Sequence, residues 1–551
     1  MNKGDFSRRF FWISLCSVAF MMIFSFLIPI AKVFFSREFG FFFGNFINLD
    51  SIRNLAKVAF YTLKVAFCST VIAFVVGICV AFFATKRDFL FKKWILALSA
   101  VPLCVPSLII ALGFVSFWGM GGFVNSFFME KLGFEEVPFK FLYSFWGIVI
   151  AQGFYNFPFV TGIIYKAWKI LPLEQENAAR LLGANEVRVF FTITLKQLSG
   201  AIGSALIPVF LFCFFSFMFV LLFCPPGMSV FEVEIYHLVK STFDYKSASF
   251  LAFVETCLAV CIVFIYLGVC KKYVQTTQGF DFCDKQKKMC SIGKAAFCKK
   301  FLCVIEIVFF VVLIFLVLLF FVFPLCCIFI SAFTKRERGD LSFSVFQFKT
   351  LFSSPNFWKA FFNSIWIGIC SGFLCCFCGF IYSCLLKFSK NANRFLWQII
   401  PLLPMAISSV VIGWGMSLVF RRGNVFLLIL MQVAIYWPIA FRQIQNGINK
   451  IPTETLLASK ILSKDDLDTV FRIFLPSCKK FLWAAFCCSF AISLGDTTLP
   501  LVLSVQGLDT LALYTYRLAG SYRFELACAS GTIMALLSIL LYSIGEKNND
   551  E

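Results

Sequence analysis

Residues that could carry out acid–base, nucleophilic or metal chemistry are sparse in this sequence. His237 is the single histidine among 551 residues, and no cluster of acidic residues shares a loop with it. Several of the 24 cysteines, such as Cys375 and Cys376, fall inside apolar stretches, where cysteine behaves as a small hydrophobic residue. No pair of zinc-binding C-x-x-C knuckles is present. We therefore predict that the chain is not an enzyme and binds no metal.

The sequence also lacks a phosphate-binding loop. The pattern G-x-x-x-x-G-K-[ST] cradles nucleotide phosphates with backbone N–H groups and places a hydroxyl on magnesium. The nearest sequence, Gly293-Lys294, is followed by Ala295 and has no upstream glycine at the required spacing. The chain is therefore expected to bind no cofactor of its own.

One acidic residue lies in an apolar stretch. Asp496 follows Gly495 and precedes Thr497 in a segment that is otherwise hydrophobic. A carboxylate within a membrane span is costly and is a functional hypothesis by default. The alternative is that Asp496 caps a helix or pairs with another group near a helix end.

The elements that carry these residues are apolar helices. The sequence is 60% hydrophobic and 14% charged, whereas soluble domains hold about 45–50% apolar and about 25% charged residues. About a dozen stretches approach the roughly 20 apolar residues that a helix needs to cross a bilayer. The predicted spans are 10–33, 61–84, 94–118, 144–165, 199–223, 248–270, 301–333, 361–386, 395–419, 425–441, 480–504 and 526–543.

The net charge of +20 arises from Lys and Arg residues that lie between these stretches. Such a distribution is typical of cytoplasmic loops and not of a nucleic-acid-binding surface, so no nucleic-acid partner is expected. An even number of spans predicts that both termini lie in the cytoplasm. The basic segment 271–300 is predicted to be a cytoplasmic linker between two units of six spans each, 1–270 and 301–551.

Two polar loops repeat at the same place in each half. The first, LPLEQENAARLLGANEVRVFFTITLK, spans 171–196, and the second, IPTETLLASKILSKDDLDTVFRIFLP, spans 451–476. A constant offset of 280 residues places Pro158 on Pro438, which duplication explains better than chance. The same offset aligns Pro172 with Pro452, Ala178 with Ala458, Leu182 with Leu462, Ile193 with Ile473 and Leu195 with Leu475.

The first loop predicts two short helices joined by a sharp bend. Pro172 suits the first position of a helix, and Glu176 lies in the first turn, where the helix dipole favours anions. Gly183 is expected to end that helix in the left-handed conformation. In the second loop Ser463 replaces the glycine and begins an S-x-x-D capping pattern. The alternative interpretation is that both loops are ordinary connectors.

These loops resemble the E-A-A loop of binding-protein-dependent ABC importer permeases, whose pattern is E-A-A, three residues, G, nine residues and I-x-L-P. The first loop matches with Asn177, Ala178, Ala179, Gly183, Ile193 and Leu195, and Glu176 precedes the motif. The second loop matches with Ala458, Ile473, Leu475 and Pro476, and it carries Ser459 and Ser463 in place of the second alanine and the glycine.

The resemblance implies the type I importer fold, with two tandem six-helix permease units in a bacterial cytoplasmic membrane. It implies that the E-A-A loops are coupling elements seated on two copies of a separate ABC ATPase, which bind ATP and magnesium. It also implies a periplasmic or lipid-anchored binding protein that delivers the solute. Pro106 and Pro404, in corresponding helices, are expected either to line the translocation path or to kink those helices.

A fused pair of units resembles the ferric-iron and thiamine permease group. The stretches that resemble the thiamine permeases are 231–237, 243–245, 493–496 and 519–523. Thiamine or a phosphorylated form is therefore the expected solute, and Asp496 and Thr497 would lie on the path of this cation. Ferric iron is the alternative. An ion-coupled secondary transporter would place several ionisable groups at the membrane midplane, and this sequence has few.

Overall fold

The computed structural model describes residues 23–34, 49–87, 92, 105–277, 297–337, 340–388, 400–420, 423–452, 454–455, 459 and 466–550. Within these ranges the protein consists of helices and one antiparallel hairpin, in which β1 (Thr334–Glu337) pairs with β2 (Asp340–Phe343). Parts of the predicted spans 10–33, 94–118 and 395–419, and most of the linker 271–300, lie outside the described residues.

The first half begins with a π turn at Ile23–Leu27 that continues into α1 (Ile28–Phe34). The following helices are α2 (Leu49–Lys86), α3 (Ser107–Trp118), α4 (Phe123–Leu132), α5 (Phe145–Ile170), α6 (Leu173–Leu181), α7 (Glu186–Val189), α8 (Leu195–Phe214), α9 (Met218–Phe223), α10 (Phe231–His237) and α11 (Tyr245–Thr277). A 3-10 turn at Phe141–Tyr143 and π turns at Phe190–Thr194 and Leu238–Thr242 lie between them.

The second half begins with α12 (Phe297–Val317), a π turn at Leu318–Val322 and α13 (Phe323–Ala332). After the hairpin come α14 (Phe346–Phe352), α15 (Pro355–Phe388), α16 (Ser409–Val419), α17 (Val425–Asn449), α18 (Asp466–Thr469), α19 (Leu475–Ser477), α20 (Lys479–Gly495), α21 (Thr498–Leu503), α22 (Leu511–Gly520) and α23 (Phe524–Asp550). A 3-10 helix at Ile400–Ala406 precedes α16, and a π turn at Val470–Phe474 follows α18.

The predicted fold class, an all-α multi-pass membrane protein, is confirmed. Nine helices of the described residues are long and apolar enough to cross a membrane, and Val470–Ser477 with Lys479–Gly495, which meet at 63°, make a tenth. The span Ile307–Ala332 leaves most of its apolar surface exposed, as a helix that faces lipid would.

Two predicted spans are not continuous helices. The span 199–223 is interrupted between α8 and α9, and the span 480–504 is interrupted at Asp496 and Thr497, between α20 and α21. The apolar runs concealed both interruptions because buried helices and buried breaks have the same composition. Two other spans are longer than predicted, since α5 continues to Ile170 and α17 to Asn449.

Equivalent hydrogen bonds recur in the two halves. The hydroxyl of Ser69 on α2 donates to Gln152 Oε1 on α5 at 3.0 Å. The hydroxyl of Ser371 on α15 donates to Gln432 Oε1 on α17 at 2.8 Å. Both pairs are buried between the second and fourth spans of their half, so the two halves are tandem units of one architecture.

Each unit lends its first span to the other. In this exchange α1 packs on α16 and α13 packs on α3. A Cβ atom at Gly113 would lie 2.6 Å from the carbonyl oxygen of Pro324, and one at Gly415 would lie 2.5 Å from that of Pro29. Glycine therefore permits both close approaches, and each unit depends on the other for a complete core.

We expect Gly415→Ala to destabilise the folded protein, because the added methyl group overlaps the backbone of α1. Overpacking of this kind costs roughly 1–3 kcal/mol. Gly531→Ala is the matched control, since a Cβ there would meet its nearest atom at 3.9 Å. Thermal unfolding in detergent measures the difference, and equal melting temperatures for the two variants would contradict the exchange.

Candidate functional site

The first loop folds as two short helices with a left-handed bend between them. Helix α6 begins after Pro172, which occupies the N-cap position, one residue before the predicted place. Gly183 has a φ of +85°, as predicted, and its N–H donates to the carbonyl of Arg180 at 3.0 Å. Asn185 caps α7 by accepting a hydrogen bond from the N–H of Arg188 at 2.9 Å.

A five-residue π turn joins each loop to the next span. It covers Phe190–Thr194 in the first unit and Val470–Phe474 in the second, again 280 residues apart. Such turns are rare and occur frequently at functional sites. Neither turn was predicted, because a π turn has no residue signature of its own.

Arg180 holds the bend together. Its Nη2 lies 3.1 Å from Glu176 Oε2, and its Nε donates to Glu186 Oε1 at 2.8 Å. The hydrogen bond to Glu186 and the negative charges of both carboxylates raise the pKa of Arg180. Glu176 also accepts a hydrogen bond from the hydroxyl of Thr194 at 2.7 Å, and only 6% of its surface is exposed. Glu176 is therefore a bracing residue rather than a surface contact.

The tip of the bend exposes apolar side chains. Leu181 and Leu182 are each 89% exposed, and Val187 and Phe191 also face outward. Asn177 and Ala178 are exposed and Ala179 is half-buried. Exposed apolar patches of this kind mark interaction sites. Sequence reasoning selected the small residues and missed the two leucines, which stand out only once the bend is known.

The second loop is described in part. Ala458 and Ser463 lie outside the described residues, whereas Ser459 is buried. On the far side of the gap, Asp468 Oδ1 and Arg472 Nε form an ion pair at 2.6 Å that spans the start of the π turn.

Asp496 stabilises the break between α20 and α21. Its Oδ1 accepts hydrogen bonds from the N–H groups of Thr498 at 3.0 Å and Leu499 at 3.2 Å. Its Oδ2 accepts one from Gln432 Nε2 at 3.3 Å. The buried carboxylate therefore caps α21, as the structural alternative expected. Thr497 is buried beside it, and a role of either residue in translocation stays a prediction.

The two predicted prolines lie at helix breaks in the interior. A Cβ atom at Gly495 would lie 2.3 Å from Pro106 Cγ, so the start of α3 touches the break beside Asp496. Pro404 is buried in the 3-10 helix Ile400–Ala406 that leads to α16. The structure thus brings Pro106 and Asp496 together, and Pro404 occupies the corresponding approach in the second unit.

Two further acids in the interior were missed as site residues. Glu232 on α10 and Glu255 on α11 are both fully buried, and none of their carboxylate oxygens has a hydrogen-bond donor. Ser408, at the start of α16, lies beside Glu232. Its hydroxyl accepts from the N–H of Val411 at 3.1 Å and lacks hydrogen-bond geometry toward the carboxylate.

Residues 73–275 match the family described as the binding-protein-dependent transport system inner membrane component. This range extends from α2 to α11 and includes the whole first loop. It is a domain of that permease family.

Similarity to known permeases covers most of the chain. The thiamine transport system permease protein of Escherichia coli (strain K12) is 23% identical over 502 residues, which are 88% of this chain and 87% of that protein. The corresponding protein of Brucella abortus (strain 2308) is 25% identical over 91% of this chain and 88% of its own length. The ferric transport system permease protein of Actinobacillus pleuropneumoniae is 23% identical over 98% of this chain and 78% of its own length.

We expect Arg180→Ala to loosen the bend of the permease loop, because the substitution removes the side chain that joins α6 to α7. Loss of such half-exposed charged contacts costs about 1 kcal/mol, which corresponds to roughly fivefold faster local opening. Amide hydrogen exchange at 184–194 measures this rate. Lys140→Ala, which removes an exposed pair with Glu136 at 3.2 Å, is the control. Unchanged exchange in the Arg180 variant would contradict the brace.

Asp496→Ala is expected to lower the melting temperature, because the N-terminus of α21 and Gln432 lose their acceptor. Loss of a helix cap typically costs about 1 kcal/mol or more. Asp496→Asn retains one acceptor oxygen for the N–H groups and is expected to unfold closer to the wild type. Equal destabilisation by Asn and Ala would show that the charge, and not the cap, is what the fold needs.

Proposed function

We propose that this permease forms the membrane path of an ATP-driven importer for thiamine or a phosphorylated form of it. Similarity to thiamine permeases over 88% and 91% of the chain supports the solute. The bent loop with its apolar tip supports the drive by a separate protein. The single observation that carries the proposal is this loop, which lies within the range matched to the family.

The coupling function is assigned to the first loop through its exposed and bracing residues. Leu181, Leu182, Asn177 and Ala178 offer the contact surface, with Ala179 behind them, and Gly183 sets the bend. Because Glu176 is bonded to Thr194 in the π turn, a push on the tip reaches α8 without being absorbed in the loop. Ala458, Ser459 and Ser463 take the corresponding places in the second loop.

Two copies of an ABC ATPase, which bind ATP and magnesium, are the proposed partners at the loops. A binding protein would deliver the solute at the opposite face. Helix α5 has 26 residues, or about 39 Å at 1.5 Å per residue, and separates the first loop from a cavity of about 1120 Å³. Met120, Phe123, Lys131, Tyr143, Arg523 and Glu525 are among the residues that line this cavity.

In this assignment the loops and both termini face the cytoplasm, and the cavity faces the outside of a bacterial cytoplasmic membrane. Asp496, Thr497, Pro106 and Pro404 shape the wall of the path at the helix breaks. Ferric iron is the second candidate solute, because the ferric permease matches 98% of this chain.

Gly183→Pro is expected to abolish co-purification with the ATPase and thiamine-stimulated ATP hydrolysis in liposomes. Proline fixes φ near −65°, which is incompatible with a φ of +85°, and it removes the N–H that donates to Arg180. Membrane insertion should remain normal. Gly133→Pro is the matched control, since Gly133 has a φ of +70° at the other end of α5. Retained ATPase binding by the Gly183 variant would refute the coupling role.

A further inference from the structure

Two acidic side chains in the interior carry charge that no protein group offsets. Glu232 and Glu255 are 0% exposed, and all four carboxylate oxygens lack a hydrogen-bond donor. The two groups are close enough to interact electrostatically. None of the ion pairs in the described part of the chain includes either residue. A buried charge in this state is strongly unfavourable unless something neutralises it.

The pair lies where the two units meet. Helices α10 and α11 pack on each other, α10 also packs on α16, and α11 packs on the 3-10 helix Ile400–Ala406. Ser408, beside Glu232, is the residue at which that broken span restarts as α16. Discontinuous helices at the junction of repeated units are where transporters place their solutes. The acids therefore lie at a place suited to a translocation path.

The pseudo-symmetry of the units identifies the counterpart of Glu232. The N–H of Phe231 donates to Thr62 Oγ1 at 3.1 Å, and the N–H of Leu511 donates to Ser364 Oγ at 2.6 Å. These equivalent bonds align the first residues of α10 and α22. The next residue is Glu232 in the first unit and Ala512 in the second, and both are buried.

The counterpart of Glu255 follows from the next turn. The non-glycine residues Phe243 and Tyr522 have φ values of 56° and 60° and precede α11 and α23. Their offset of 279 is one less than before, because the π turn Leu238–Thr242 adds a residue. Glu255 then corresponds to Met534, which is fully buried. Since the second unit folds with Ala512 and Met534, this architecture requires no acid at either place.

Asp496 offers the contrast. Its oxygens accept hydrogen bonds from two backbone N–H groups and Gln432, so its charge is used within the fold. The oxygens of Glu232 and Glu255 are not used in this way. Sequence reasoning placed the acid that meets a cationic solute at Asp496, whereas the unpaired acids are the other two.

We propose that Glu232 and Glu255 together recognise the positive charge of the solute as it crosses between the two units. This inference rests on the proposed function and specifies its chemistry as a monovalent organic cation, such as the thiazolium of thiamine. Two carboxylates supply at most four oxygens, which is fewer than the six ligands of an octahedral ion such as Fe³⁺. A flat cation with dispersed charge needs no complete ligand shell.

The test is uptake of labelled thiamine into liposomes that contain the permease with its ATPase and binding protein. Glu232→Gln and Glu255→Gln are expected to reduce uptake at least about tenfold, because removing one partner of a buried charge pair costs that much or more. Their melting temperatures should equal or exceed that of the wild type, since an uncompensated charge is removed. Glu234→Gln, a half-buried acid on the same helix, is the matched control and should transport normally.

Each outcome decides between the two levels of the proposal. If the wild type takes up Fe³⁺ and not thiamine, the proposed solute and the cation site both fail. If the wild type takes up thiamine and the two Gln variants do so equally well, the proposed function stands and the cation site is wrong, because a proton on the acids would then suffice. Lost uptake accompanied by a lower melting temperature, in these variants and in Glu232→Ala with Glu255→Met, would assign the acids to the fold and overturn the site.

Discussion

The structure depends on one constraint, which is that a membrane supplies no hydrogen bonds to an interrupted helix. Breaks in the spans must therefore be satisfied by the protein, and this chain buries them where its two units meet. Asp496 serves the break before α21, and hydroxyls of the second span in each unit serve the starts of α10 and α22. The exchange of α1 and α13 between units encloses these breaks, so each unit's interior is completed by the other.

Duplication has left one scaffold with two distributions of charge. The hydrogen bonds that set the architecture recur in both units, including Ser69 to Gln152 and Ser371 to Gln432. The acids do not recur, since the counterparts of Glu232 and Glu255 are apolar. A symmetric frame with an asymmetric interior can move as a pair of equivalent halves and still present a single, oriented surface to the solute.

The sequence predicted the apolar helices, the repeat and the left-handed Gly183, because each has a local signature in composition, offset or residue type. It did not predict the breaks at Asp496 or before α16, since an interrupted buried helix is as apolar as a continuous one. The acids were misjudged for a related reason. Whether Asp496 or Glu232 finds a hydrogen-bond donor depends on residues that are distant in the chain, such as Gln432 and Ser408, and no spacing within one segment reveals them.

The central claim is that the two loops transmit the motion of a separate ATPase to the spans. The most direct measurement is the distance between spin labels at Leu182 and Thr455, attached through p-acetylphenylalanine to avoid the native cysteines, in the complete transporter. We predict that this distance shortens when ATP brings the two ATPase subunits together and lengthens again after hydrolysis. A distance that stays the same with and without ATP, in a complex that still hydrolyses it, would contradict the account.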